Sequence, residues 1–151
     1  MIDGIREKAL VFIAEQARRF TGAEFGEVLL FSQTEHFEQL IALGVRGTYL
    51  PGAPRSFSIY EGVTGYVFRH GEPQLINDVT QSKEYFVTFA AESELAAPLK
   101  RGDAVLGVLN LESDIKGRFN QNHLQITEFL AELVVSALTS IDLAKSIFYD
   151  K

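Results

Sequence analysis

The sequence of 151 residues contains no cysteine and no tryptophan. The absence of cysteine excludes disulfide bonds, a thiolate nucleophile, thiolate metal ligands and thioether-linked cofactors. Basic residues are also in the minority, 14 against 20 acidic ones, which gives a formal charge of −6. A pI near 5.1 argues against a nucleic-acid-binding protein, because binding to a phosphate backbone needs a basic surface.

Long uninterrupted apolar runs are absent as well. The most apolar stretch, residues 130–138, contains Glu132, whereas a membrane-spanning helix needs roughly 20 predominantly apolar residues. Residues 1–8 lack the basic-then-apolar order of a signal peptide. We therefore predict a cytoplasmic chain, or a cytoplasmic part of a larger protein, with neither nucleic acid nor membrane as a partner.

What the chain has is enough apolar material for one core. The apolar fraction is 46%, with 12 Phe and 5 Tyr, so we predict a single domain over residues 1–151. Apolar residues recur at helical spacing over 2–20 and again over 121–148, where Asn120 or Asn122 is the expected N-cap. These two helices bracket everything else.

Between the terminal helices, over residues 25–113, the pattern changes to short strands with one inserted helix at 61–70. The predicted strands lie at 25–32, 37–43, 57–60, 75–76, 94–100 and 104–113. We predict an α+β fold with a central antiparallel sheet of five to six strands. The terminal helices cover one face of the sheet, and the inserted helix together with an aromatic loop at 77–93 covers the other.

Alternation along the last strand assigns side chains to these two faces. Val105, Gly107, Leu109 and Leu111 are uniformly apolar and are expected to face the terminal helices. The alternate set, which faces the inserted helix and the aromatic loop, comprises Leu106, Val108, Asn110 and Glu112. A buried Asn110 needs a hydrogen-bonding partner, which a ligand, a water molecule or the neighbouring backbone can supply.

Three segments resemble the GAF domain family. They are EGVTGYVF at 61–68, PQLINDV at 73–79 and ELAAPLKRGDAVLGVLNLES at 94–113, followed by Phe119 and an apolar helix. The resemblance covers nearly the whole chain. It implies a GAF/PAS-like sensor or dimerisation module of the kind attached to kinases, cyclases, phosphodiesterases or transcription factors in bacterial signalling, and it does not fix the ligand.

The functional subclasses of that family differ in characteristic residues, which can be compared with this chain. Cyclic-nucleotide-binding members carry Asn-Lys and Asp-Glu pairs around a Phe, and only Phe119 matches, because Ser113-Asp114 and His123-Leu124 stand at the other positions. Members that attach a bilin, or that reduce free methionine sulfoxide, depend on cysteine. The reductases resemble this chain around Glu94 and Asn110, which implies a pocket for an amine or another polar head group.

Candidate ligand-binding residues follow from this reasoning. The predicted pocket lies between the sheet and the aromatic loop, and its residues are Phe57, Tyr66, Tyr85, Phe86, Phe89, Glu94, Ala96, Val108 and Asn110. The aromatic residues either cover a ligand or fill the cavity themselves. The three histidines are far apart in sequence and are expected at the surface, so we predict no metal, no cofactor and no catalytic residue.

The last helix carries an apolar band wider than a single core-facing stripe. This width predicts a homodimer formed with the first helix, and the alternative is docking within one monomer. The candidate interface residues are Ile5, Phe12, Leu138, Ile141, Ile147 and Phe148. The helix runs to Lys151 without a glycine stop, which indicates a covalently linked effector domain downstream.

The sequence thus predicts a regulatory GAF-type sensor that binds an unidentified small molecule and transmits through dimeric terminal helices. The alternative is a ligand-free dimerisation scaffold with a filled pocket. A small-molecule enzyme of the same fold is the remote alternative, since no nucleophile, metal set or acid–base pair emerges. We therefore predict that the chain is not an enzyme.

Overall fold

The computed structural model describes residues 2–47, 55–84 and 91–149, and within these ranges the side chains of residues 4–143. The helices are α1 (Ile2–Thr21), α2 (Gly62–His70) and α3 (Gln121–Tyr149), with a short 3-10 helix at Val79–Gln81. The strands are β1 (Phe25–Gln33), β2 (Glu38–Arg46), β3 (Ser56–Ser58), β4 (Gln74–Ile76), β5 (Ser93–Arg101) and β6 (Ala104–Ser113). The three α-helices and the six strands were predicted, with small differences at the ends, whereas the 3-10 helix lies in a segment that was predicted to be an aromatic loop.

The strands form one six-stranded sheet in the order β3-β2-β1-β6-β5-β4. All the pairings are antiparallel, which confirms the predicted α+β fold. Because β1 pairs with β6, the first and last strands meet at the centre of the sheet. Residues far apart in sequence are thereby brought side by side.

The terminal helices cover one face of the sheet, as predicted. α1 and α3 pack against each other and against β2 and β5. The core on this face is built from alternate strand residues and from the apolar stripes of both helices, including Leu10, Ala14, Val28, Leu95, Leu109, Leu111 and Val134. Full burial of one such leucine contributes roughly 1.5–3 kcal/mol.

The opposite face is covered by α2. Val63 and Val67 are four residues apart on this helix, and both are buried against Leu29, Leu40 and Val108 of the sheet. Phe68 stacks on Phe31 of β1, with ring centroids 4.8 Å apart. The aromatic part of the predicted covering loop, Tyr85, Phe86 and Phe89, lies outside the described residues.

A β-bulge corrects the predicted alternation at the start of β6. The register shifts between Leu99 and Lys100 of β5, whose partners on β6 are Gly107 and Val105. Leu106 is therefore an extra residue, and it packs against the core on the terminal-helix side rather than on the α2 side. Val105 in turn lies beside Gly71, at the end of α2. A bulge adds one residue to one strand, which inverts the alternation on its far side.

The close packing around Gly107 explains why this position holds a glycine. A Cβ atom at this position would overlap the carbonyl oxygen of Leu29 on the neighbouring strand. The strands β1 and β6 approach each other closely there, and only a residue without a side chain permits the approach. From Gly107 onward the predicted alternation holds, with Leu109 and Leu111 on one side and Asn110 on the other.

α3 begins with a side-chain cap. Asn120 Oδ1 accepts a hydrogen bond of 2.9 Å from the backbone N–H of His123, so Asn120 rather than Asn122 is the N-cap. In return, His123 Nδ1 accepts from the backbone N–H of Asn120 at 3.2 Å. This reciprocal pair resembles a capping box in which histidine takes the usual place of glutamate.

α3 also bears on two expectations. Gln121–Leu143 is long and apolar enough, by length and composition alone, to cross a membrane, since an 18-residue window within it has a mean hydropathy of 1.4. The expectation of no membrane-spanning helix relied on uninterrupted apolar runs, whereas an average tolerates interspersed polar residues. Leu138, a predicted interface residue, is 7% exposed and belongs to the core of its own chain, because its turn of the helix still lies over the sheet.

The other predicted interface residues divide into two groups. Ile5 and Phe12 are exposed, at 50% and 62%, and Ile141 is half-buried. The side chains of Ile147 and Phe148 lie outside the described residues. Arg6 of α1 and Asp142 of α3 form an ion pair of 3.0 Å. The two helices are therefore paired within one chain, which was the alternative to pairing between chains.

Candidate functional site

A cavity of about 120 Å³ lies between the sheet and the segment that runs from β3 into α2. Its floor is formed by polar side chains from three strands, Glu27 of β1, Glu94 of β5 and Asn110 of β6. Its walls come from β3 and from the first turn of α2: Ser56, Phe57, Ser58, Glu61, Gly62, Val63 and Thr64. The site thus combines a buried polar floor with a helix N-terminus.

Strand register brings the floor residues together. Glu27 lies directly opposite Asn110, and Asn110 lies directly opposite Ala96. In the adjacent row Glu94 lies opposite Glu112. Directly opposite residues on antiparallel strands have Cβ atoms about 4.5–5.5 Å apart. Because Ala96 is small, the space beside Asn110 stays open.

The floor is almost completely withdrawn from solvent. Glu27, Glu94, Asn110 and Glu112 are only 1%, 3%, 2% and 1% exposed. Asn110 Nδ2 donates a hydrogen bond of 3.2 Å to Glu27 Oε1. Glu94 Oε1 and Asn110 Oδ1 are buried and lack a hydrogen-bonding partner within the described part of the chain. Such atoms are costly to bury, at roughly 1–3 kcal/mol each, so the floor has unused capacity for hydrogen-bond donors.

Electrostatics at the floor disfavour a fully charged empty site. Burial raises the pKa of Glu94 well above its ordinary value of 4.5, and the nearby Glu112 and Glu27 carboxylates raise it further. The Asn110 side chain acts in the opposite direction, by hydrogen bonding. A cation bound at the floor would offset the part of this shift that comes from the neighbouring carboxylates, because it neutralises like charges.

The walls carry donors of a different kind. α2 begins at Gly62 after Glu61, whose side chain makes no capping hydrogen bond. The first N–H groups of a helix have no partner within the helix and carry a partial positive charge. Gly65, one turn into α2, allows the helix to lie against β3, since a Cβ atom there would be 2.9 Å from the Ile59 carbonyl oxygen. The donors of α2 and the acceptors of the floor therefore line the same cavity.

The structure brings together part of the predicted set. Phe57, Glu94 and Asn110 line the cavity, and Ala96 and Val108 are fully buried in the core on the same face. Tyr66 is not among the described residues that line the cavity. Its ring stacks on the ring of His70, with centroids 4.0 Å apart. The reason is helical geometry, since Val63 and Val67 face the sheet and a residue between them points about 100° away.

Sequence reasoning missed Glu27 and the first turn of α2. A signal for Glu27 was present, because it is the one charged residue within the apolar run FGEVLLF at 25–31. Metal binding finds no support in the described ranges, where no group of three or more His, Asp or Glu side chains is arranged to hold an ion.

Comparisons with solved structures give the same fold for several proteins. Type II free methionine-R-sulfoxide reductase from Thermoplasma acidophilum matches with a TM-score of 0.82 and 12% identity, over 93% of this chain and 97% of that chain. The free methionine-R-sulfoxide reductase from Neisseria meningitidis, in complex with its substrate, matches with a TM-score of 0.81 and 18% identity, over 95% and 87%. At these identities the likeness concerns the fold.

A third match is a GAF domain from a larger protein. The GAF domain of an Acinetobacter phosphoenolpyruvate-protein phosphotransferase has a TM-score of 0.78 and 16% identity, over 94% of this chain and 85% of that one. GAF domains thus also occur within larger multidomain proteins. A search of curated protein sequences finds no match.

These matches overturn one prediction. The chain was predicted not to be an enzyme because no catalytic group emerged from its sequence. That prediction is wrong: structures with the same fold over more than nine-tenths of this chain are reductases, so an enzyme is plausible. The error came from taking the absence of a recognisable catalytic group in the sequence as a statement about activity, which the fold does not determine either.

A family model for the GAF domain matches residues 6–139. This range includes both terminal helices in large part, the whole sheet and every described residue of the cavity. The chain therefore belongs to the GAF domain family.

Proposed function

We propose that this GAF domain binds a small molecule bearing a protonated amine, with free α-amino acids as the ligand class. The observation that carries the proposal is the buried floor, where Glu94 Oε1 and Asn110 Oδ1 line one cavity and lack donors in the described structure. An ammonium group supplies three N–H donors together with the charge that offsets the neighbouring carboxylates.

The end of the cavity that is formed by the first turn of α2 favours an amino acid over a simple amine. The uncapped first turn of α2 offers backbone N–H groups, which are suited to a carboxylate. A ligand with an ammonium group on the floor and a carboxylate at α2 uses both ends. Glu61 and the acidic floor act against a ligand that is only anionic. The substrate of the Neisseria reductase, free methionine-R-sulfoxide, belongs to the same chemical class.

The proposal is tested by the thermal stability of the purified protein in the presence of matched probes. L-Methionine, free methionine-R-sulfoxide and ethylammonium are expected to raise the Tm, and acetate is not. Saturation at about 100 times Kd contributes roughly 2.7 kcal/mol. If acetate stabilises the protein as well as ethylammonium does, or no amine has an effect, the proposal is wrong.

Glu94→Gln is the decisive variant, because it keeps the shape of the side chain and removes its charge. We expect a roughly ten- to hundredfold loss of affinity for ethylammonium, the usual effect of one charge-assisted hydrogen bond. Glu132→Gln is the matched control, since this residue is exposed on α3 and far from the floor.

The structure also supports a regulatory role for this binding. Glu27 faces the cavity, while the next residue of β1, Val28, is part of the core shared with α1 and α3. A ligand that contacts one face of this strand can bias the packing of the terminal helices on the other, provided that it has different affinities for the two arrangements. A homodimer formed through the exposed residues Ile5 and Phe12 would carry such a change between chains.

A further inference from the structure

The role of Glu27 goes beyond adding charge to the cavity floor. We propose that Glu27 is a positioning residue, which fixes the Asn110 amide so that its oxygen remains for the ligand and this part of the floor accepts N–H donors. The inference rests on the proposed function and deepens it, because it names what makes the site selective for amines over molecules that carry only acceptors.

The geometry of the pair carries the argument. Asn110 Nδ2 donates to Glu27 Oε1 at 3.2 Å, and both residues are almost fully buried. A carboxylate has only acceptor sites, whereas an amide has a donor end and an acceptor end. The reversed amide would set its oxygen against the Glu27 oxygen, and two acceptor atoms repel each other. The carboxylate therefore determines which end of Asn110 is used.

The surroundings leave the amide no other orientation. Glu94, on the neighbouring strand, also interacts with the Asn110 side chain by hydrogen bonding. The amide nitrogen thus lies among carboxylates, and Oδ1 is the atom without a partner in the described structure. A ligand that enters the cavity meets Glu94 Oε1 and Asn110 Oδ1, which are both acceptors. When Glu94 is ionised, a carbonyl or sulfoxide oxygen therefore finds no donor at these two described floor atoms.

Two variants separate orientation from charge. Glu27→Gln removes the charge but retains an acceptor oxygen for Asn110 Nδ2. Glu27→Met has a similar length and removes the acceptor as well, so the amide is free to turn its NH₂ group toward the ligand. Thr127→Val serves as the control, because it alters a buried polar side chain of α3 whose hydroxyl donates to the backbone carbonyl oxygen of His123 at 2.7 Å.

The experiment measures the affinities of a donor-only probe, ethylammonium, and an acceptor-only probe, dimethyl sulfoxide. The wild type and Thr127→Val are expected to prefer ethylammonium. Glu27→Met should reduce the preference by about tenfold or more and bind dimethyl sulfoxide better, and Glu27→Gln should keep most of the preference. If Gln and Met weaken ethylammonium equally, with no gain for dimethyl sulfoxide, Glu27 acts by charge alone and the proposal is overturned.

Nuclear magnetic resonance gives a readout independent of ligand binding. The side-chain amide signals of Asn110, identified by their loss in Asn110→Ser, should exchange slowly with solvent in the wild type. Fast exchange there overturns the positioning role, even if Glu27→Met fails to fold. If no amine binds the wild type while the amide signals are protected, the proposed function fails and the orientation of Asn110 by Glu27 stands.

Discussion

At the scale of the residue, the negative charge of Glu94 favours binding of the proposed ligand but lowers the stability of the ligand-free fold. Its buried carboxyl group is held with a raised pKa by desolvation and by Glu112 and Glu27. The folded state therefore retains a proton that the unfolded chain releases near its ordinary value of 4.5. Above that pH the ionisation of Glu94 opposes folding, so its contribution to stability is lost as the pH rises toward the folded-state pKa.

Replacing Glu94 should show whether its ionisation lowers the stability of the folded state. Glu94→Gln cannot ionise, so we expect the ligand-free variant to be more stable than the wild type at neutral pH. The difference should grow as the pH is raised from about 5 to about 8. Thermal unfolding of both proteins at several pH values checks this. A variant that is less stable at neutral pH, or a difference independent of pH, contradicts the account of the floor.

At the scale of the element, the close approach of β1 and β6 depends on Gly107. Gly107→Ala is expected to destabilise the protein by about 3 kcal/mol, since its Cβ atom overlaps the Leu29 carbonyl oxygen and the strands must separate. Gly4→Ala is the matched control, because nothing lies within 4 Å of its added Cβ atom and alanine favours a helix by up to about 1 kcal/mol. Denaturant unfolding compares the two, and equal effects would contradict the packing described.

Also at the scale of the element, one part of α3 is buried in the core and another part is exposed. Leu138→Ala should cost about 2–5 kcal/mol of unfolding free energy, because the side chain is buried among residues of its own chain. The loss should not depend on protein concentration. A loss that appears only at high concentration would instead make Leu138 an interface residue, as its sequence pattern predicted.

The elements were the most predictable part of the molecule. Hydrophobic periodicity located each helix and strand, and alternation from Gly107 onward put Asn110 and Leu111 on the correct faces. The alternation failed at Leu106. A bulge depends on how two strands pair, so it is not visible in the alternation of apolar and polar residues along a single strand. The site was only partly predictable, since Glu27 joins it through pairing with Asn110 across 83 residues of chain.

At the scale of the whole molecule, the apolar surface of α1 remains to be accounted for. Phe12 is 62% exposed and Ile5, two turns earlier on the same face, is 50% exposed, and exposed apolar patches often mark interfaces. We expect the wild type to sediment as a dimer and Phe12→Glu as a folded monomer with nearly unchanged circular dichroism. A wild-type monomer in sedimentation at tens-of-micromolar concentrations would rule out the proposed homodimer and leave the ligand site untouched.

The central claim is that the buried acidic floor recognises an ammonium group. The most direct measurement is a crystal structure of the protein with L-methionine. The account predicts the amine nitrogen at about 2.7–3.2 Å from Glu94 and Asn110, with the carboxylate at the first turn of α2. A ligand bound in the reverse orientation, with its carboxylate on the floor, or bound elsewhere while the cavity stays empty, would contradict it.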